Sequence, residues 1–418
     1  MIRLEKYEKQ TKQSLIAFEE RIKDIYSQGQ IRGPIHLSSN NEDVLINIFS
    51  RVNPDDWVFT TYRNHSHALL KGIPETVLED MIVDGHSMHL MSKQHKFVSS
   101  SIVAGHIPMA LGAALALKRK GAHNRVWTFC GDMAAETGVF HEATKYAINH
   151  DLPITFIVED NGLGVDTPTK QVWGETDTGN SNQNLAVVPV ITPIEDGGLA
   201  RLLDRSPKVL RYNYQRGYKH HGVGVWITFP EEKDKSTQHL DDYHRETNAA
   251  MKMLANEPNS LFMGQTVAYP GSPIFKSLDG IPQNQRLELP VIEETQMGMS
   301  IGLALEDYLP VSIFPRFDFL ISGTNQLVNH LDKMYELSQG QFDPKVIIRT
   351  TVGTKRPINP GPQHYQDHTE AFEHMLTNVD VIRVNHASRL VPAYQRALSS
   401  NHSSLIVESD KLFYGDEQ

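Results

Sequence analysis

A chain of 418 residues is long enough to form two or three domains with complete hydrophobic cores. Its hydrophobic fraction of 39% and charged fraction of 22% are those of a globular protein, and its net charge of −10 argues against nucleic acid or an anionic membrane as a partner. A single cysteine, Cys130, excludes a disulfide within the chain. Because the charged N-terminus lacks the apolar segment of a signal peptide and no apolar run could span a membrane, we expect a cytoplasmic location.

The N-terminal elements lead into polar loops. Apolar residues at helical spacing predict a helix over residues 13–28, and a short strand is predicted over residues 57–61. The loop between them carries His36, and Tyr62 and Arg63 come directly after the strand. An arginine in this position can bind a phosphate group through two charge-assisted hydrogen bonds, and a tyrosine can add a hydroxyl donor. The pair is therefore a candidate anion site.

A strand–helix–strand unit comes next. Apolar runs at residues 126–130 and 154–158 predict strands, and residues 139–149 between them predict a helix. Such a crossover joins neighbouring parallel strands, so Asp132 and Asn161 fall at the carboxyl ends of strands, where open α/β sheets bind ligands. Their carboxylate and amide oxygens suit Mg²⁺. The local alternatives are a helix cap at Asp132 and a turn at Asn161.

The second half repeats the pattern after a polar segment. Residues 230–248 carry dense charge of both signs, which predicts an interdomain linker. Strands are predicted over residues 261–267 and 345–353. Glu293 lies between these strands, after an apolar strand end and before an apolar helix. The local alternative for Glu293 is a glutamate that interacts with the helix dipole.

The crossover sequence resembles a known cofactor motif. The segment from Gly131-Asp132 to Asn161 resembles the diphosphate-binding motif of thiamine diphosphate enzymes, which opens with Gly-Asp and closes with Asn. The resemblance extends through GVFHEA and LPITFIVEDN to the alpha subunit of the decarboxylating component of 2-oxo acid dehydrogenases. From about residue 246 the chain resembles the beta subunit of that component. The resemblance implies an α/β protein with two thiamine diphosphate-binding-fold domains, each a parallel sheet with helices on both faces.

The resemblance also implies a domain organisation. Residues 1–229 correspond to a diphosphate-binding, alpha-like domain, 230–248 to the linker and 249–418 to a pyrimidine-binding, beta-like domain. The two subunit types would thus be fused in one polypeptide. The C-terminal domain that follows in the beta subunit, and that docks the lipoyl-bearing acyltransferase, has no counterpart in the sequence. We therefore expect no lipoyl acyltransferase complex.

The resemblance assigns part of a cofactor site to the alpha-like domain. Mg²⁺ would be held by Asp132, Asn161 and the Leu163 carbonyl, and the diphosphate by Tyr62 and Arg63. The remaining cofactor contacts in this domain are Ser101, Val103, Met133 and Ala134. The histidines expected to move protons are His36 and His221, with His220 as the alternative to His221. The positions that depart from the family pattern are Asn40, Asn41, His86 and Ser101.

The beta-like domain supplies the rest of the implied site. Glu293 matches the glutamate that activates the cofactor by a hydrogen bond to the pyrimidine ring nitrogen. Phe319 matches the aromatic residue that stacks on the aminopyrimidine, with core packing as its alternative. His364, in a Gln-His pair, matches a histidine that faces the substrate.

These features predict a thiamine diphosphate- and Mg²⁺-dependent enzyme. It would decarboxylate a small 2-oxo acid such as pyruvate and transfer the acyl carbanion equivalent to an aldehyde or ketone acceptor, forming a carbon–carbon bond. The enzymatic alternatives are ketol transfer from a sugar phosphate and the decarboxylating component of a 2-oxo acid dehydrogenase. A non-catalytic scaffold is the alternative from a different class, against which Glu293 argues. We expect a homodimer or a dimer of dimers with active sites at interfaces.

Overall fold

Two compact units make up the chain, Met1–Ile227 and Thr228–Gln418. The structure is a computed structural model that describes residues 10–174, 192–193, 208–218, 221–222, 236–270, 272–355 and 359–414. Both units are α/β with mainly parallel sheets, which confirms the predicted fold class. Among the described residues, none of the helices combines the length and the apolar composition that a bilayer crossing requires.

The first unit is built on one large sheet. Its strands are β1 Trp57–Thr60, β2 Met91–Ser92, β3 Phe97–Ser99, β4 Val126–Gly131, β5 Ile154–Asp160, β6 Leu163–Gly164, β7 Thr167–Pro168, β8 Thr192–Pro193 and β9 Lys208–Asn213. Seven of them form a sheet in the order β2-β3-β1-β4-β5-β9-β8, in which only the β2–β3 pair is antiparallel. Strands β6 and β7 form a separate antiparallel hairpin.

Helices cover both faces of this sheet. They are α1 Lys12–Ser27, α2 Glu42–Phe49, α3 His65–Leu70, α4 Glu75–Val83, α5 Ile107–Arg119, α6 Asp132–Ala135, α7 Gly138–Asn149 and α8 Thr169–Val172. Trp127 and Phe129 of β4 join the buried cluster that contains α1 to α4, whereas Val126 and Cys130 join the cluster with α5 and α7. Alternating side chains of one strand therefore pack into two cores, as in parallel sheets that are covered on both sides.

The second unit has the same architecture. Its strands are β10 Ser260–Gly264, β11 Arg286–Glu288, β12 Leu309–Phe314, β13 Ile347–Thr351, β14 Asp380–Val384 and β15 Ser404–Glu408. They form an all-parallel sheet in the order β11-β10-β12-β13-β15-β14. Its helices are α9 Ser236–Ala255, α10 Pro273–Ser277, α11 Glu293–Leu305, α12 Phe317–Leu320, α13 Met334–Leu337, α14 Thr369–Met375, α15 Leu390–Ser399 and α16 Lys411–Tyr414. Adjacent residues Ile347 and Ile348 of β13 belong to opposite cores, so this sheet is also covered on both faces.

Most of the segment predicted to be an interdomain linker, residues 230–248, is helical, and its role as a linker stays a prediction. Helix α9 begins at Ser236 and runs for 20 residues to Ala255. Tyr243, Thr247 and Leu254 are all buried, and their spacing places them on one helical face. The many charged residues on the other faces concealed this stripe in the sequence, because dense mixed charge is also typical of a solvated helix.

A buried ion pair between Arg349 and Glu408 connects α9 to the sheet of the second unit. The Arg349 Nε atom donates to Glu408 Oε1 over 2.8 Å, and both side chains are at most 1% exposed. The Tyr243 hydroxyl donates to Glu408 Oε2 over 2.7 Å, and the Tyr394 hydroxyl donates to Glu408 Oε1 over 2.8 Å. Both carboxylate oxygens thus have donors, which is the condition under which a buried ion pair is tolerated.

We expect Glu408→Gln to destabilise the second unit by about 3–5 kcal/mol, because it leaves the Arg349 guanidinium buried without its counter-ion. The measurement is amide hydrogen exchange of β13 and β15, which reports the opening of this unit. The control is Asp242→Asn on α9, which removes an exposed pair with Arg245 and should cost less than about 1 kcal/mol. Equal losses in the two variants would contradict the assigned role.

Candidate active site

The predicted crossover is confirmed. Strands β4 and β5 pair in parallel, with Gly131 opposite Glu159, and α7 connects them. Asp132 follows β4 directly, and Asn161 follows β5 directly. Because the paired strands are parallel and in register, both side chains originate at the same edge of the sheet.

The Asp132 carboxylate is almost completely withdrawn from water. The residue is 1% exposed, and its Oδ2 atom accepts a 2.6 Å hydrogen bond from the Thr169 hydroxyl. Burial raises the pKa of Asp132 to about 6, and the nearby Asp160 charge adds to the rise, while the Thr169 hydrogen bond opposes it. A cation beside Asp132 would stabilise its charged form, so this carboxylate fits a metal ligand.

Asn161 forms the turn contact given as its local alternative, and its side-chain oxygen keeps a second lone pair that could bind a cation. Its Oδ1 atom accepts from the Leu163 backbone N–H over 3.0 Å, and its Nδ2 atom donates to the Tyr214 hydroxyl over 3.2 Å. An amide oxygen has two lone pairs, so the turn does not prevent ligation. Leu163 pairs with Pro168, which has no N–H to donate to the Leu163 carbonyl. The predicted donor set of carboxylate, amide and carbonyl oxygens is of the kind that Mg²⁺ prefers, and it stays a prediction.

The β6–β7 hairpin passes tightly over α6. Met133 and Ala134 are buried in α6. A Cβ atom at Gly164 would collide with the end of the Met133 side chain, which would have to move to make room for it. Among the described residues, no group of three or more His, Cys, Asp or Glu side chains is placed to bind a metal.

Three predicted residues form a ring cluster in the first unit. The His36 ring lies 4.6 Å from the Tyr62 ring and 4.5 Å from the His221 ring, measured between centroids. Tyr62 and His221 are 5.4 Å apart. The sequence separates these residues widely, and the fold brings them together. His220 lies outside the described residues.

Arg63 connects the loops that carry this cluster. Its Nη1 atom donates to the Leu37 carbonyl, and its Nη2 atom donates to the His221 carbonyl over 3.0 Å. Burial lowers the pKa of His221 well below its usual range, and the Arg63 and Arg216 charges add to the effect. The His221 ring is therefore neutral at pH 7. The diphosphate role of Tyr62 and Arg63 stays a prediction.

The departures from the family pattern have local explanations. Asn40 has a φ of +66°, a left-handed conformation that asparagine tolerates better than most residues. Asn41 is buried and donates to Glu159 over 3.3 Å and to the Tyr212 hydroxyl over 3.2 Å. The Ser101 hydroxyl lies 2.9 Å from the His89 ring nitrogen. His86 is exposed, and for this departure the structure gives no explanation. The cofactor contacts of Ser101 and Val103 stay predictions.

A buried Glu19–His65–Ser87 chain was missed in the sequence. Glu19 Oε2 lies 3.0 Å from His65 Nδ1, and His65 Nε2 lies 2.8 Å from the Ser87 hydroxyl. Glu19 Oε1 also accepts from the Ser38 N–H over 3.1 Å, beside the His36 loop. The signal that could have revealed this chain was the position of the Glu19 carboxylate on the apolar face of α1, next to Phe18.

In the second unit, the structure distinguishes the two adjacent glutamates. Glu293 is the first residue of α11, and its Oε1 atom accepts from Gln265 Nε2 over 3.3 Å. Burial raises the pKa of Glu293, and the hydrogen bonds from its own backbone N–H and from Gln265 oppose the rise. Glu294 is exposed and accepts from Asn325 and Gln326. Gln265 was not predicted.

Phe319 and His364, predicted independently, contact each other. Their ring centroids are 5.4 Å apart, and the ring planes are nearly perpendicular at 83°. A Cβ atom at Gly353 would collide with the His364 backbone carbonyl, so this glycine lets the His364 loop return against the end of β13. The structure thus places the two side chains together, while their roles stay predictions.

Comparison with known proteins identifies relatives of the first unit. Residues 10–186 match the family model described as dehydrogenase E1 component. Subunit alpha of acetoin:2,6-dichlorophenolindophenol oxidoreductase from Bacillus subtilis (strain 168) is 30% identical over 164 residues, which are 36% of this chain and 48% of that protein. The pyruvate dehydrogenase E1 component subunit alpha of Rickettsia bellii (strain RML369-C) is 33% identical over 175 residues, 39% of this chain and 54% of that protein. The chain spans about half the length of the curated relatives it matches.

His106, which was also not predicted from the sequence, should make the stability of the protein depend on pH. It is fully buried, its Nε2 atom lies 2.8 Å from the Phe129 carbonyl, and burial lowers its pKa to about 4. The pKa of His106 in the folded protein lies below its unfolded value of about 6.5. The stability that the neutral His106 side chain contributes is therefore fully present above pH 6.5 and is lost as the pH falls towards 4. Between pH 7.5 and pH 5 it amounts to roughly 2 kcal/mol of unfolding free energy.

His106→Gln keeps a donor and cannot be protonated, so it should reduce the loss of stability between pH 7.5 and pH 5 by that amount. Urea unfolding followed by tryptophan fluorescence suits the test, because all four tryptophans lie in the first unit. The exposed His123→Gln serves as control and should leave the pH dependence unchanged. An unchanged pH dependence in His106→Gln would contradict the assignment.

Proposed function

We propose that the chain binds thiamine diphosphate with Mg²⁺ and decarboxylates a small 2-oxo acid, as the decarboxylating component of a 2-oxo acid dehydrogenase system. The observation that carries the proposal is the desolvated Asp132 carboxylate at the carboxyl end of β4, beside Asn161. It lies within the stretch that matches the dehydrogenase E1 component family. The relatives' names favour this alternative over the carbon–carbon bond formation that the sequence first suggested.

The first unit would bind the charged end of the cofactor. The oxygens of Asp132, Asn161 and Leu163 would hold Mg²⁺, which keeps other coordination places for phosphate oxygens and water. Tyr62 and Arg63 would add hydroxyl and guanidinium donors to the diphosphate. Since two of the Arg63 donors already bind backbone carbonyls, the remaining guanidinium N–H groups would make this contact.

The second unit would supply the proton chemistry. When bound, thiamine diphosphate supplies a carbanion that adds to the 2-oxo acid and then accepts electrons as carbon dioxide leaves. A carboxyl group with a raised pKa, such as Glu293, keeps its proton to a higher pH than an ordinary glutamate, and in its protonated form it can donate a hydrogen bond to a ring nitrogen. Phe319 would stack on the ring, and His364 would face the substrate.

The histidines of the first unit would act on the substrate. A neutral imidazole can accept a proton at one nitrogen and donate one at the other. The depressed pKa of His221 keeps its ring in that state, and the His36 ring lies against it. This pair would stabilise charge that develops on a substrate oxygen without adding a fixed positive charge.

We also propose that the chain joins an alpha-type and a beta-type part and works as a homodimer or a dimer of dimers. Support for the beta-type part comes from Glu293 at the start of α11 and from the contact between Phe319 and His364. The family match itself covers residues 10–186. Active sites would lie at interfaces between copies.

The proposal predicts that pyruvate, in the presence of the cofactor and Mg²⁺, releases carbon dioxide and reduces an artificial electron acceptor such as 2,6-dichlorophenolindophenol. Glu293→Gln should lower the rate by about 10²–10⁴-fold, the usual contribution of a general acid–base group. Glu294→Gln, which alters the exposed neighbour, is the matched control and should stay close to the wild-type rate.

Other outcomes of this assay separate the alternatives. Carbon dioxide release with a new carbon–carbon bond and no acceptor reduction would favour carboligation. Consumption of a ketose phosphate without carbon dioxide release would favour ketol transfer. A Glu293→Gln protein with full activity would contradict the role of Glu293 in any of them.

A further inference from the structure

The Glu293 carboxyl group has a neutral partner, Gln265. The Gln265 Nε2 atom donates to Glu293 Oε1 over 3.3 Å. Gln265 directly follows β10, whereas Glu293 begins α11, so the contact joins two elements that are 28 positions apart. An amide N–H that donates to a carboxyl oxygen fixes the orientation of that group and stabilises its charged form.

The backbone that carries Gln265 is held in an uncommon conformation. Gly264 has a φ of +148°, and a Cβ atom there would collide with the Ile313 carbonyl of the neighbouring strand β12. Thr266 has a φ of +59°, which is rare for a β-branched residue. Such strain persists only where surrounding contacts enforce it, and it concentrates at functional sites.

The Glu288 carboxylate holds this backbone conformation in place. One of its carboxylate oxygens accepts from the Thr266 N–H over 2.6 Å, and the other accepts from the Ala268 N–H over 2.8 Å. Glu288 ends β11, which pairs in parallel with β10. The sheet therefore fixes Glu288, and Glu288 fixes the loop from which Gln265 reaches Glu293.

We propose that Gln265 is a positioning residue for Glu293: its uncharged amide N–H holds the carboxyl group in one orientation. The inference rests on the proposed function, in which Glu293 must exchange a proton with a ring nitrogen. A lysine or arginine at position 265 would keep Glu293 ionised through its charge, and an apolar residue would leave its orientation unset. A glutamine orients the group without trapping it in its charged state.

Other charged groups around Glu293 are engaged elsewhere. On α11, the Glu294 carboxylate accepts from Asn325 and Gln326. On β11, the Glu288 carboxylate is occupied by the two backbone N–H groups. Within the described residues, no charged side chain contributes to the raised pKa of Glu293, which arises from burial. Gln265 is thus the side chain through which the titration of Glu293 can be adjusted.

The test is a pH titration of the full chain without cofactor, labelled with ¹³C at glutamate carboxyl carbons, with Glu293→Gln used to assign the Glu293 signal. Gln265→Leu should move the Glu293 midpoint upward, because the buried carboxylate loses its donor. Gln265→Glu, which is nearly isosteric, should also move it upward, because a second carboxyl group disfavours the charge. Gln326→Leu is the matched control, since Gln326 contacts Glu294 over 3.4 Å, and it should leave the Glu293 midpoint in place.

An unmoved Glu293 midpoint in both folded Gln265 variants would overturn the inference, because a merely structural glutamine would not affect this titration. The proposed function fails in a different way. If Glu293→Gln retains full turnover, the catalytic role of Glu293 is wrong whatever the titration shows. If Glu293→Gln is inactive and the Gln265 variants titrate as the wild type does, only the positioning role is wrong.

Discussion

Desolvation of a carboxylate at the edge of a parallel sheet is the constraint on which the candidate site depends. Strand β4 fixes the backbone of Asp132, and the α7 crossover returns the chain so that β5 delivers Asn161 to the same edge. At 1% exposure the Asp132 charge loses most of its hydration, and the Thr169 hydroxyl offsets only part of this loss, as the raised pKa shows. A bound cation would restore the balance. The proposed function therefore depends on a carboxylate charge that the fold buries and only partly compensates.

Three carboxyl groups illustrate how the surrounding donors differ between a structural role and a proposed functional role. Glu408 has an arginine and two tyrosine hydroxyls as donors, so its charge is compensated and it connects α9 to the sheet. Asp132 has one side-chain donor, the Thr169 hydroxyl, and its proposed role is metal binding. Glu293 has one uncharged side-chain donor, Gln265, and its proposed role is proton transfer. In this account, the donors around a carboxyl group decide which of these roles it can take.

The fold class and the main elements could be predicted because apolar runs and their polar ends are local signals, and the β4–α7–β5 crossover lies within a residue or two of its expected bounds. The helical structure of the predicted linker was missed because charge density hid the buried stripe that contains Tyr243 and Thr247. Contacts between distant segments left little trace in the sequence: the contact of Gln265 with Glu293 had no local signal, and that of Glu19 with His65 had only a carboxylate on an apolar helix face. The sequence was enough to propose a chemistry for individual residues. The hydrogen-bond partners that shift the pKa of each group could be identified only from the tertiary structure.

The most direct test of the central claim is calorimetry of thiamine diphosphate binding to the full chain with and without Mg²⁺. The account predicts Mg²⁺-dependent binding that Asp132→Asn abolishes or weakens strongly, because the amide supplies no charge to the cation. The same titration with Glu293→Gln should show that binding is retained, since that residue acts on the proton and not on the diphosphate. Binding that is equally tight without Mg²⁺, or that Asp132→Asn leaves unchanged, would contradict the account.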